Sequence, residues 1–239
     1  MKPPRTPWGE FPDVLIHADE SAVKRHSAYR QAKSGDSAAA SALVLDTTSI
    51  DRVNELSRMF SGEQPTLVSA HAFERDGVNA IPEVFAEYLA VLLGWPVDSG
   101  IVQTNVVAHT GADGFSRLAR QAAFTGAVQP GTHYVMVDDF VGMGGTLANL
   151  KGYIESQGGK VLAAVALTGK LYSARLRLFP ERLAELRSKH GQELEHWWQS
   201  RFGHAFDALT ESEARYLART ADADTIRNRI AAAEQAGDC

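Results

Sequence analysis

The sequence predicts an α/β fold: a mainly parallel sheet flanked by helices, with a helical N-terminal segment and a helical C-terminal appendage. Three observations carry that reading. Short apolar, β-branched runs at residues 66–72, 101–108, 134–137 and 161–167 alternate with stretches of helical spacing, at intervals that suit right-handed βαβ units. Both ends lack such runs and read as helix-like. Residues 134–150 (YVMVDDFVGMGGTLANL) then join an apolar run, two acids, a glycine turn and a helical pattern in one order.

Taken in order, residues 1 to about 20 carry four prolines and are expected to lie along the surface as an extended arm. Residues 21–33 and 36–44 read as helix, interrupted at Ser34 and Gly35, with Asp36 suited to cap the second piece. Ile50, Val53 and Leu56 continue a helical pattern to Phe60. Residues 1–63 thus form a helical cover or hood. The core, residues 64–170, begins with a strand at 66–72. Pro82 opens a helix that Gly94 closes, and its apolar residues Phe85, Leu89 and Leu92 place it against the sheet. Residues 101–108 read as another strand. The polar, glycine-punctuated segment 110–128 carries two cations, Arg117 and Arg120, which share a face if the segment is helical there. A strand at 161–167 completes the core. From Leu171 onward the sequence is charged and helical, broken near Pro180, with capping-box spacing at Thr210 and Glu213 and a last helix at 225–233. Trp197 and Trp198 read as packing residues, and His190 and His196, six apart, do not share a helical face. The three regions 1–63, 64–170 and 171–239 could equally form one domain.

The chemistry concentrates at residues 134–150. Tyr134 to Val137 reads as a buried strand that ends at Asp138 and Asp139. Gly142, Gly144 and Gly145 form a turn, and Thr146 opens the helical pattern of Leu147, Leu150 and Ile154. Such a turn lets backbone N–H groups face inward as an anion nest, and the helix N-terminus adds its positive dipole end. The acids repel a phosphate, so sugar hydroxyls or a hydrated Mg2+ suit them better. A dinucleotide fingerprint would need glycine at Leu147, and neither Gly159-Lys160 nor Gly169-Lys170 precedes Ser or Thr as a P-loop requires.

Residues 134–146 resemble the signature of the type I phosphoribosyltransferases. The resemblance implies that family's sheet and a pocket for phosphoribosyl pyrophosphate (PRPP). Asp138 and Asp139 would hold the ribose hydroxyls, while Val141, Gly142, Met143, Gly144, Gly145 and Thr146 would wrap the 5′-phosphate. Family members usually carry hydroxyl residues at the positions of Gly142 and Met143, so this loop departs from the pattern there. The loop after the first core strand would meet the diphosphate through Arg75, Gly77 and Asn79. A mobile loop would bring Arg117 and Arg120 over the leaving group as catalytic residues with the acids. Mg2+ would be held by PRPP and water near Asp138 and Asp139. The implied activity transfers the phosphoribosyl group to a nitrogen nucleophile, with a nucleobase as the expected acceptor, and releases diphosphate. A homodimer is implied too. The alternative is a non-catalytic PRPP or nucleotide sensor using the same pocket, and a third reading is a phosphosugar hydrolase. For the last, no nucleophile stands out: Ser69 lies outside any G-x-S-x-G elbow.

Composition bounds these readings. At 239 residues, 44% hydrophobic and 22% charged, the chain can bury a substantial core. A net charge of −5 argues against a general nucleic-acid binder. The single cysteine, Cys239, permits no intrachain disulfide. No apolar leader or membrane-length stretch stands out, so a cytoplasmic location and no membrane partner are expected.

Overall fold

The structure, a computed structural model, describes residues 2–70, 73–74, 77–105 and 113–236. At its centre stands a five-stranded sheet in which every pairing is parallel. In chain order the elements are β1 (Leu15–Ala18), α1 (Glu20–Arg25), α2 (Tyr29–Lys33), α3 (Ser37–Thr47), α4 (Ile50–Met59), β2 (Thr66–Ser69), β3 (Phe73–Glu74), β4 (Gly77–Val78) and α5 (Ile81–Leu93). Next come β5 (Val97–Asp98), β6 (Val102–Gln103), α6 (Gly114–Ala119), β7 (Phe124–Thr125), β8 (His133–Val141), α7 (Gly145–Ser156) and β9 (Lys160–Gly169). The chain closes with α8 (Pro180–Phe202), α9 (Glu211–Ala218) and α10 (Ala223–Gln235). The sheet runs β1-β9-β8-β2-β5, with helices at both ends of the chain, as the sequence predicts.

Strand alternation divides the core. Val135 and Val137 on β8 join Leu67, Val165 and Leu167 in packing against α3, α4 and α5. Tyr134 and Met136 face the other way and pack with Val68, Ala164 and Ala166 against Leu147, Leu150 and Ile154 of α7. A third apolar cluster joins α6 to the C-terminal helices: Phe115 and Leu118 meet Leu194, Trp198, Leu217 and Ile230. Trp198 is fully buried, in keeping with the packing role expected of it.

Three expectations change. The N-terminal arm is not confined to the surface: Trp8, Phe11 and Val14 are buried, and Leu15 to Ala18 pair with β9 as an edge strand. The short run Val14–Leu15–Ile16 is apolar enough to join the sheet despite the four prolines before it. Residues 101–108 do not form a strand of the central sheet: within their described part only Val102 and Gln103 are extended, antiparallel to β7, and the sheet edge is β5 instead. Finally, β8 does not stop at the acids. It runs through them to Val141, because β9 continues beside it with Asp138 opposite Ala166 and Val141 opposite Gly169.

Candidate functional site

The carboxyl ends of β2 and β8 open on a cavity of about 420 Å3, within the usual size of a small-molecule site. Extension of β8 to Val141 shortens the turn to Gly142, Met143 and Gly144, with Gly144 as N-cap of α7. Gly144 has φ +81°, a left-handed backbone that glycine adopts without strain. Asp138, Asp139, Gly142, Met143, Gly144, Gly145 and Thr146 all line the cavity. Val141 does not: its side chain is buried in the core beneath the turn, packed where Gly169 leaves room.

The two acids differ in proton affinity. Both are buried, and the Asp139 backbone N–H donates to Asp138 Oδ1 at 2.8 Å. Burial, with the neighbouring Asp139 charge, pushes Asp138 well above the ordinary carboxylate range. Burial also pushes Asp139 upward, but the Lys33 ammonium at 3.0 Å outweighs it, helped by hydrogen bonds from Lys33, Asp138 and Asn79. Asp139 is therefore the more acidic of the two and Asp138 the one that holds a proton more tightly, in hydrogen-bond contact with its neighbour. One carboxylate stays available to accept sugar hydroxyls.

Of the other expected residues, Asn79 is buried at the cavity, where it bonds Asp139 and accepts from Ile81 N at the start of α5. Gly77 lies in the β3–β4 hairpin, opposite Glu74. Arg75 lies outside the described residues. Arg117 and Arg120 both reach the cavity wall, Arg117 from within α6 and Arg120 from the cap just past its end. Arg117 stands against the turn, its Nη1 3.0 Å from where a Cβ on Gly142 would be. The Nε of Arg120 is buried with no hydrogen-bond partner among the described residues.

Sequence reasoning missed the residues that arrive from distant segments. Lys33 is the most important, and Lys24 stands 4.7 Å from the Phe140 ring centre at the rim. Arg5 makes a two-pronged ion pair with Glu213 at 2.7 and 3.1 Å, and its Nε donates to Asn149. Thr210 donates from Oγ1 to the Met143 carbonyl at 2.6 Å, tying α9 to the glycine turn. The capping box at Thr210 and Glu213 was readable as a helix start. No spacing rule announces its docking on residues far earlier in the chain. Together these groups could hold a polyol on the acid pair and an anion at the α7 N-terminus, with cations from α2 and α6 around them. Among the described residues, no three His, Cys, Asp or Glu side chains form a metal cluster.

No protein-family model matches the chain. It is 42% identical over 229 residues to Protein TraN of Escherichia coli, covering 96% of this chain and 51% of that protein. It is 38% identical over 151 residues to an uncharacterized protein of Haemophilus influenzae, covering 63% of this chain and 34% of that protein. The chain thus spans about half the length of the first of these relatives and a third of the second. Among solved structures, it is similar to an adenine phosphoribosyltransferase at TM-score 0.35 and 16% identity, over 50% of this chain and 65% of that one. Adenine phosphoribosyltransferase of Leishmania tarentolae overlaps at TM-score 0.34 and 17% identity, over 79% of this chain and 91% of that one. No described helix is long and apolar enough to cross a membrane.

Proposed function

We propose that the chain binds PRPP and transfers its 5-phosphoribosyl group to a nitrogen nucleophile, a nucleobase being the acceptor class, with release of diphosphate. The observation that carries this reading is a pair of adjacent buried carboxyls near the end of β8, one of them held by Lys33, followed directly by a glycine turn at the N-terminus of α7, all lining one cavity. Asp139 accepts the ribose hydroxyls and faces the positive charge that develops at the anomeric carbon. The bond from that carbon to the diphosphate oxygen breaks, a carbon–nitrogen bond forms, and the acceptor's proton passes to the departing diphosphate or to water. Gly142 to Thr146 meet the 5′-phosphate, and Arg117 and Arg120 meet the departing diphosphate. Arg75 and Gly77 stay assigned to the diphosphate side on the sequence resemblance alone, while Asn79 steadies Asp139.

The donors at the acid pair are oxygens, as Mg2+ prefers, but Lys33 already neutralises Asp139. The residues therefore fit Mg2+ held through water and the ligand, where it would supply charge neutralisation for the diphosphate. A homodimer and a cytoplasmic location complete the proposal. The test is calorimetric titration of PRPP with and without Mg2+ against the wild type and the Asp138→Asn/Asp139→Asn double variant. Magnesium-dependent binding lost in the variant supports the pocket, and diphosphate release with a panel of nucleobases then identifies turnover. No binding to the wild type refutes the proposal.

One observation favours a second reading, a non-catalytic sensor of the same ligand. The hydroxyls usual at positions 142 and 143 are absent, and the Met143 carbonyl is tied to Thr210. Binding without turnover of any base would select it.

A further inference from the structure

The C-terminal helices touch the glycine turn itself, and the contact has a direction. The Thr210 hydroxyl donates to the Met143 carbonyl at 2.6 Å. A trans peptide is planar, with C=O and N–H pointing opposite ways. A Met143 carbonyl held toward α9 therefore turns the Gly144 N–H away from α9. On the α9 side the turn is sealed: a Cβ on Gly144 would lie 2.4 Å from Leu176 Cδ2 and 3.2 Å from Thr210 Cγ2. On the other side lie the cavity, the acid pair and Arg117.

Thr210 is itself fixed. It is fully buried, its Oγ1 accepts from Glu213 N at 3.1 Å, and its own N–H donates to Glu213 Oε2 at 2.9 Å. Arg5 grips the same Glu213 carboxylate with two bonds. The hydroxyl proton and one lone pair of Thr210 are thus committed, and Oγ1 serves the turn rather than a ligand.

We propose that Thr210 is a positioning residue of the anion subsite: by holding the Met143 carbonyl it turns the Gly144 N–H toward the cavity, where that group joins the α7 N-terminus in receiving a phosphate monoester. The inference rests on the proposed function for the identity of the ligand, though any phosphate monoester or inorganic phosphate has the chemistry required. It makes the helical appendage part of the binding site. It also explains how a turn without its usual hydroxyls keeps a preformed donor set: the hydroxyl comes from outside the turn and acts on the backbone.

The test uses full-length protein labelled with 15N-glycine, in which the Gly144 and Gly145 amide signals are followed on adding inorganic phosphate and then PRPP. Wild type and Thr210→Ser, which keeps the hydroxyl, should show both amides moving with phosphate. Thr210→Val keeps the shape and loses the donor; its Gly144 amide should exchange faster with solvent, and its phosphate affinity should fall about tenfold, the worth of one neutral hydrogen bond. Recovery in Thr210→Ser separates positioning from a general loss of the α9 cap, because thermal unfolding reports that loss independently. Equal phosphate binding by the folded Val and Ser variants overturns the inference, as does a wild-type Gly144 amide that ignores phosphate. Phosphate binding at Gly144 without any PRPP affinity rejects the proposed function and upholds Thr210's role.

Discussion

Lys33 reaches across from α2 to Asp139 and leaves its neighbour Asp138 as the member of the pair that holds a proton more tightly. An asparagine at 138 can reproduce the protonated acid, donating through its amide to Asp139 and accepting from the Asp139 N–H. Asp138→Asn should therefore fold at least as stably as wild type at pH 7. The sign of the pH dependence follows from the raised folded pKa: Asp138 favours the folded state fully below its unfolded value near 3.8, and that contribution is lost as pH rises toward the folded value. The advantage of Asp138→Asn over wild type should grow from pH 4 upward, by at most about 1.4 kcal/mol per pH unit. Denaturant unfolding at pH 4.5 and 7.0 measures it, and a pH-independent difference would contradict the assignment of the proton. Arg120 gives a contrasting case. Its buried Nε has no partner among the described residues, so Arg120→Met should leave the melting temperature within a few degrees while weakening PRPP binding about ten- to a hundredfold, the worth of one charge-assisted hydrogen bond. Calorimetry and a thermal melt on the same sample separate the two effects.

Among the elements, β8 and α7 were the most legible. An unbroken apolar run with β-branched residues and a glycine turn before periodic Leu147, Leu150 and Ile154 leave few alternatives, and the helix closed by Gly94 was equally plain. The edge strands were harder. β5 is two residues long, and β1 follows a proline-rich arm, so neither offers the length on which a periodic pattern depends. The site divided along the same line: Asp138, Asp139 and the turn are contiguous and readable, whereas Lys33, Arg5 and Thr210 reach it only through tertiary packing. How tightly that packing is set shows at Gly152 on α7, where a Cβ would stand 2.1 Å from the Pro4 carbonyl oxygen. Two backbones cannot yield as a side-chain tip does, so Gly152→Ala should cost on the order of 2–3 kcal/mol and loosen residues 4–6. Thermal unfolding and amide exchange over those residues would show whether the arm is displaced.

The whole molecule carries a pH sensitivity set by two buried histidines. Burial, aided by Arg52, lowers His17 to about 4, and burial with the Arg5 charge lowers His204 to about 3, both from 6.5. Depressed folded values mean that stability is fully present above pH 6.5 and is lost as pH falls toward 4 and 3, because the unfolded chain takes up protons first. Each histidine adds at most about 1.4 kcal/mol per pH unit to that slope. His17→Gln and His204→Gln should each flatten the fall in unfolding free energy between pH 6.5 and 4.5, and a slope untouched by both would show that the folded rings protonate freely.

Arg5 and Glu213 are 208 residues apart in sequence yet close an ion pair beside the glycine turn. During synthesis residue 5 leaves the ribosome long before residue 213. A nascent chain can assemble β8, β9 and α7, but Arg5 waits with Asn149 for its second partner. Until α9 emerges, the Met143 carbonyl also has no Thr210 to hold it. The surroundings of the turn are thus complete only once α9 has folded back, and a chain truncated before residue 210 would carry its acid pair beside an unbraced glycine turn.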